Sequence, residues 1–217
     1  MDDVFSQFDV VLEAFGLTIQ LLVFSGVTSL LLGTFLAAMR VGPIGVLARF
    51  GALYVSVVRN TPLLVVFILV FNALPTLDLL VDTPFLVKGM VALTIYTSAF
   101  VCEAIRSGVN SVALGQAEAA RAIGLTFGQT MTHVVLPQAF RAVVPPLASV
   151  LIALAKNTSV AAAFGIAEAT ARMRGFTNNN ADDRTLIFLT FAIGYIIIVE
   201  VMSAGAFGLE RRWRVAR

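Results

Sequence analysis

Residues 105–124, IRSGVNSVALGQAEAARAIG, and residues 134–147, VVLPQAFRAVVPPL, bound the stretch that decides how this chain folds. Both overlap a polar insert, residues 107–140, that separates two long apolar runs. GQAEAARAI at 115–123 consists largely of strong helix formers, and Gly124 can close that helix because glycine tolerates the left-handed conformation. Thr126 and Gln129 have the spacing of a capping box that opens a second short helix. Gly108 is expected to end the preceding apolar helix. Pro137 and the Pro145–Pro146 pair are expected to interrupt helical hydrogen bonding where the chain turns apolar again. A soluble-looking helix held between apolar runs is a surface for another protein or a plain solvated connection.

Working outward, the composition fixes the solvent. Of 217 residues, 59% are hydrophobic and 13% charged, about half the ~25% charge of a soluble domain. The mean hydropathy is +0.92, and the apolar runs are about 20 residues long, the length that crosses a bilayer as a helix. Backbone groups in lipid must be satisfied within their own segment, so the expected fold is all-α and integral to the membrane. Five transmembrane helices are predicted, at 14–38, 52–74, 86–106, 141–163 and 186–208. Residues 1–13 and 209–217 form short tails of a single transmembrane domain, residues 14–208.

Charge sorting predicts the topology. Arg40, Arg49, Arg106, Arg121, Arg141, Arg211, Arg212, Arg214 and Arg217 fall on one side. Asp2, Asp3, Asp9, Glu13, Asp78, Asp82, Asp182 and Asp183 fall on the other, with Arg172, Arg174 and Arg184 against the trend. Basic loops mark the cytoplasm, so the amino terminus is expected outside and the carboxy terminus inside. The acidic start, Met1–Asp2–Asp3, lacks the basic region of a cleaved signal peptide, so the first span is expected to stay. Ser25, Ser29, Gly33 and Ala37 recur every four residues and offer a face for close helix packing. The single cysteine, Cys102, reads as a small buried side chain.

Ionisable groups in or near the apolar spans are costly, at about 2.5–3.5 kcal/mol on insertion scales, and each calls for a reason. Glu103 and Arg106, three residues apart, can pair locally. Lys156, with Asn157, Thr158 and Ser159, forms a deep polar cluster. It serves as a place where a cation meets a substrate carboxylate, as a structural pair with Glu200, or as a gate contact with a partner subunit. Arg59, Asn60, Thr61 and Pro62 mark either a helix break lining a cavity or the start of a helix with Arg59 snorkelling at the surface. His133 has no companion ligands, so no metal site is expected. The scattered basic residues do not suggest nucleic acid as a partner, and no Gly-rich phosphate loop of the ATPase type is present.

The motifs together carry a resemblance. VRNTPLL at 58–64, the Glu-Ala-Ala stretch running into VVLPQAFRAVVPPL, KNTS at 156–159 and LERRW at 209–213 occur in that order. The chain thereby resembles the permease subunits of ABC importers, type I fold, in the polar amino acid branch. MRVGP at 39–43 and YTSAFVCEAIRSG at 96–108 make it look most like actinobacterial glutamate-uptake permeases. The resemblance implies that Glu118, Ala119, Ala120, Gly124, Leu136 and Pro137 form the element that docks into a cytoplasmic ABC ATPase dimer. ATP and Mg would sit on that partner, so the chain is not itself an enzyme and binds no cofactor. It further implies a second permease or a second copy, an extracytoplasmic amino acid binding protein, and a multi-pass location in a bacterial plasma membrane. Asn157 stands where many relatives carry Asp, and Ala148–Ser149 where an Asn is frequent, which bears on substrate selection. The competing expectation is a self-contained ion-coupled transporter or channel with Lys156 and Glu200 as relay.

Overall fold

The computed structural model of the chain describes residues 7–213, and every regular element among them is helical. Asp2, Asp3, Arg214, Arg217 and the side chain of Arg212 lie outside the described residues. Among the described residues four helices are long and apolar enough to cross a membrane, or five if a bent pair is counted as one span.

α1 spans Phe8–Val41, so the helix starts well before residue 14 and absorbs half of the expected amino-terminal tail. α4, Phe85–Asn110, packs along it in parallel through the small-residue stripe. Ser25 Oγ donates to the Met90 carbonyl at 3.4 Å and Ser29 Oγ to that of Thr94 at 3.5 Å, both pairs 65 residues apart. One turn on, a Cβ on Gly33 would lie 2.8 Å from the Ser98 carbonyl and 2.5 Å from Val101 Cγ1. The constant offset is what parallel helices show when small side chains let their backbones meet. Apolar side chains on the opposite face of α1, among them Phe24, Leu31 and Phe35, are exposed, as expected of a surface whose solvent is hydrocarbon.

The second expected span is not one helix. α2 (Gly45–Arg59) and α3 (Leu63–Thr76) meet at 104°. The cause is Pro62, which has no N–H to donate, sits extended at ψ 140° and caps α3. α2 lies across one end of the bundle, with Gly51 against Arg40 and the Tyr54 hydroxyl donating to the Ile95 carbonyl at 3.0 Å. α3 then runs to the opposite end, where Phe71 meets Phe85 and Phe164. The crossing therefore begins at residue 63 rather than 52.

α5 covers Leu114–Ala122, and α6 runs from Phe127 to Phe164. The expected fourth span is thus the second half of a 38-residue helix that stays helical through Pro145 and Pro146. Two π-turns, Leu69–Ala73 and Met131–Val135, each immediately precede a Leu-Pro pair. Leu74 N–H reaches the Leu69 carbonyl and Leu136 N–H that of Met131. Widening the turn moves aside the carbonyl that the proline ring would strike, so the helix bends around Pro75 and Pro137 without ending.

α7, Ala169–Asn179, was not expected. α8, Arg184–Trp213, closes the bundle and extends into the expected carboxy-terminal tail. A Cβ on Gly194 of α8 would stand 2.2 Å from the Phe15 ring, so α8 lies directly on the start of α1.

Candidate functional site

α5 is built as a discrete block. At its end Gly124 takes φ +93°, its N–H donates to the Arg121 carbonyl at 3.0 Å, and Leu125 N–H donates to that of Ala120 at 3.2 Å. Those two bonds are the Schellman termination, and the left-handed residue it needs is the glycine. The capping box follows as expected: Gln129 N–H donates to Thr126 Oγ1 at 3.3 Å and Thr126 N–H to Gln129 Oε1 at 2.9 Å.

The orientation of α5 separates residues that the motif groups together. Glu118 and Ala119 are exposed, whereas Ala120 is buried against the chain's own helices. Of the two alanines expected on a partner-facing surface, Ala119 is open on α5 and Ala120 is packed inward. Beside them two large apolar side chains stand open, Leu114 at 74% and Ile123 at 81% exposure. Leu136 and Pro137 are also exposed, on the first turns after the π-turn.

α5 is fastened to what lies behind it. Gln138 Nε2 donates to Gln116 Oε1, tying α5 to α6. Gly108 does not end α4; the helix continues to Asn110. A Cβ on Gly108 would lie 2.1 Å from Val143 Cγ2 and 3.2 Å from the Ala139 carbonyl, so the glycine is the point where α4 and α6 touch. α5 is thereby joined to α6, and α6 in turn to α4.

At the same end of the bundle Glu103 is shared by three guanidiniums. Arg106 bonds one carboxylate oxygen through Nε at 3.0 Å, as local spacing predicts. Arg40 of α1 reaches the other at 2.6 Å and Arg59 of α2 stands 3.7 Å from it. The Arg59 guanidinium also lies over the Phe100 ring, 5.5 Å from its centroid. Asn60 and Thr61 spend their side chains on the carbonyls of Ser56 and Val57, both at 2.8 Å, stitching the end of α2 before Pro62 starts α3.

The KNTS cluster divides between two cavities. Asn157 lines one of about 380 Å³ with Tyr96, Thr97, Phe100 and Ser149. Lys156 and Ser159 line another of about 300 Å³ with Thr170 and Tyr195. Thr158 is buried and donates to the Ala155 carbonyl at 2.7 Å; Ser159 donates to that of Lys156 at 2.7 Å. Glu200 is exposed on α8, and among the described residues no ion pair joins it to Lys156.

Sequence reasoning missed Glu168. It is fully buried and accepts from the Tyr195 hydroxyl at 2.7 Å, the Thr18 hydroxyl at 3.4 Å and Ala171 N–H at 3.0 Å. It thereby caps α7 while tying it to α1 and α8. The signal was available in the Glu-Ala-Thr-Ala start of a short helical stretch, but the residue falls in a segment read as a loop.

Residues 29–215 match the family model of the binding-protein-dependent transport system inner membrane component. The glutamate transport system permease protein GluC of Corynebacterium glutamicum is 40% identical over 217 residues, 95% of each chain. The probable glutamine ABC transporter permease protein GlnM of Bacillus subtilis is 36% identical, over 96% of this chain and 95% of its own. A crystal structure of an amino acid ABC transporter with histidines superposes with a TM-score of 0.88 at 28% identity, over 97% of both chains. The MetNI methionine ABC transporter, in an inward-facing conformation, shares the fold with a TM-score of 0.77 at 20% identity, over 94% of this chain and 95% of its own.

Proposed function

Since the chain belongs to the family of binding-protein-dependent transport system inner membrane components, we propose that it is the membrane-spanning permease subunit of an ATP-driven importer for a polar amino acid. Glutamate is the leading substrate and glutamine the next, following what the similar permeases are named for. The observation that carries the reading is α5: a capped, rigid helix that turns Glu118, Ala119, Leu114 and Ile123 outward while being fastened to α6 from behind. A separate ABC ATPase dimer holds ATP and Mg, and its closure pushes α5. The chain itself has no catalytic role.

With α5 in the cytoplasm, the amino terminus lies outside and the carboxy terminus inside. The Arg40, Arg59 and Arg106 cluster then lies at the cytoplasmic side, in keeping with the preference of basic residues for that face. Two permease chains, identical or related, complete the path, and an extracytoplasmic binding protein delivers the amino acid. Asn157 and Arg59 line the route, with Lys156 and Ser159 beside it. Among the described residues Lys156 and Glu200 form no ion pair with each other, so no preformed relay between them favours the ion-coupled alternative.

Mild-detergent purification of the tagged chain from its native membrane, with mass spectrometry of the co-purifying subunits, tests the reading. A stoichiometric ATPase is expected. A lone oligomer, stable across several detergents, would overturn it.

A further inference from the structure

The two cavities nearest α4 share one wall. Phe100 lines both the cavity that holds Asn157, Thr97 and Ser149 and a second cavity of about 400 Å³ toward the end that carries α5. The second cavity is bounded by Arg40, Val55, Ser56, Arg59, Phe100 and Glu103. Its polarity differs sharply from the first, because its wall contains two guanidiniums and the carboxylate they share, with a third guanidinium, Arg106, behind.

Charge balance there is uneven. One carboxylate faces three guanidiniums, so two positive charges go unmatched at a site half-sheltered from solvent. Glu103 already accepts hydrogen bonds from Arg40 on one oxygen and Arg106 on the other. Arg59 approaches it only to 3.7 Å, outside hydrogen-bonding reach, and its side chain keeps 43% of its surface open. Its planar fork is thus free to accept a bidentate anion, the geometry in which guanidinium and carboxylate fit best. A positive cavity with low-dielectric walls concentrates anions by a factor of about 10 to 1,000.

We infer that this vestibule is a carboxylate-binding site on the inner side of Phe100, where Arg59 takes the side-chain carboxylate of an acidic amino acid after it passes the Phe100 ring. The inference rests on the importer reading and adds to it a substrate class: an anionic side chain is favoured over its neutral amide at this step. Phe100 separates the two cavities, and Arg59, stacked on that ring, is the first group to meet substrate beyond it. Binding there weakens the hold of Arg59 on Phe100 and Glu103, which opens the inner end of the route.

The test reads the cavity directly. The full-length chain, with whatever subunits co-purify, is reconstituted in phosphatidylcholine liposomes with Cys102→Ala and Ser56→Cys. Ser56 lines the vestibule and is exposed. Labelling rates are compared for an anionic sulfonatoethyl and a cationic trimethylammonioethyl methanethiosulfonate, each normalised to a free thiol. The expected result is about a tenfold preference for the anion, lost in Arg59→Gln and kept in Arg59→Lys, with L-glutamate slowing the labelling and L-glutamine not. Equal rates for the two reagents would overturn the site. Protection by added phosphatidylglycerol but not by L-glutamate would also overturn it, in favour of an acidic lipid headgroup. These readouts need neither ATP nor transport, so absence of an ATPase would sink the importer reading while leaving the labelling ratio to be judged by itself.

Discussion

Replacing Glu168 tests whether the end of the bundle opposite α5 is held by one buried carboxylate. The side chain is fully buried and accepts three hydrogen bonds, from Tyr195 at 2.7 Å, Ala171 N–H at 3.0 Å and Thr18 at 3.4 Å. Hydrogen bonds between membrane helices average about 0.6 kcal/mol and reach about 1.7, so Glu168→Ala is expected to lose about 2–5 kcal/mol. Glu168→Gln should lose less. Its amide oxygen can still accept from Ala171 N–H, and the Tyr195 hydroxyl can turn to Thr170 Oγ1, already 3.0 Å away. The chain supplies its own probe, because its one cysteine, Cys102, is fully buried and reacts with a thiol-specific dye only when the fold opens. At about 2–4 °C per kcal/mol for a chain of this size, Glu168→Ala should melt about 4–20 °C lower in detergent, with Glu168→Gln between it and wild type. A midpoint for Glu168→Ala within about 2 °C of wild type, less than the smallest such loss, would refute the argument.

Three further outcomes follow from individual glycines. Gly108→Val drives a side chain into Val143 and should cost about 1–3 kcal/mol of overpacking, whereas Gly115→Ala, with nothing within 4 Å of its Cβ, should leave the thiol-dye melting point unchanged. Gly33→Leu should separate α1 from α4, since even a Cβ there meets the Ser98 carbonyl at 2.8 Å; loss of folded protein in size-exclusion profiles checks it. Gly124→Asp forces a residue with a Cβ to φ +93° and disturbs the end of α5, so ATP-driven uptake should vanish while membrane insertion, followed by protease accessibility, stays normal.

The membrane class, four of the five crossings and the α5 block could be read in the chain because their causes are local. Apolar length marks α1, α4 and α8, helix formers and a terminal glycine mark α5, and Thr126 with Gln129 opens α6. The small-residue stripe at Ser25, Ser29 and Gly33 was legible for the same reason, although its partner helix was not. What failed to show depends on contacts distant in sequence. Arg40 meets Glu103 across 63 residues, and Tyr195 meets Glu168 across 27. The polar Arg59–Asn60–Thr61–Pro62 run marked a break, but nothing local told a cavity-lining kink from a helix start, and only the fold shows the 104° bend made by a single missing N–H. Gly108 reads equally well as a helix end and as a contact point, and only the position of Val143 decides between them. Among the expected site residues, Ala120 and Thr158 prove to be occupied by the chain itself, something that residue type alone does not reveal.

The claim that α5 passes the movement of an ATPase into the membrane helices is tested most directly by site-specific photo-crosslinking in the native membrane. A photoreactive residue is placed at Ile123, 81% exposed on the end of α5, or at Leu31, 69% exposed on the apolar face of α1. The account predicts that the Ile123 position yields a one-to-one adduct with a nucleotide-binding subunit, altered in yield by ATP, while Leu31 yields none. Adducts with lipid alone at both positions, in cells that take up the amino acid through this chain, would contradict it.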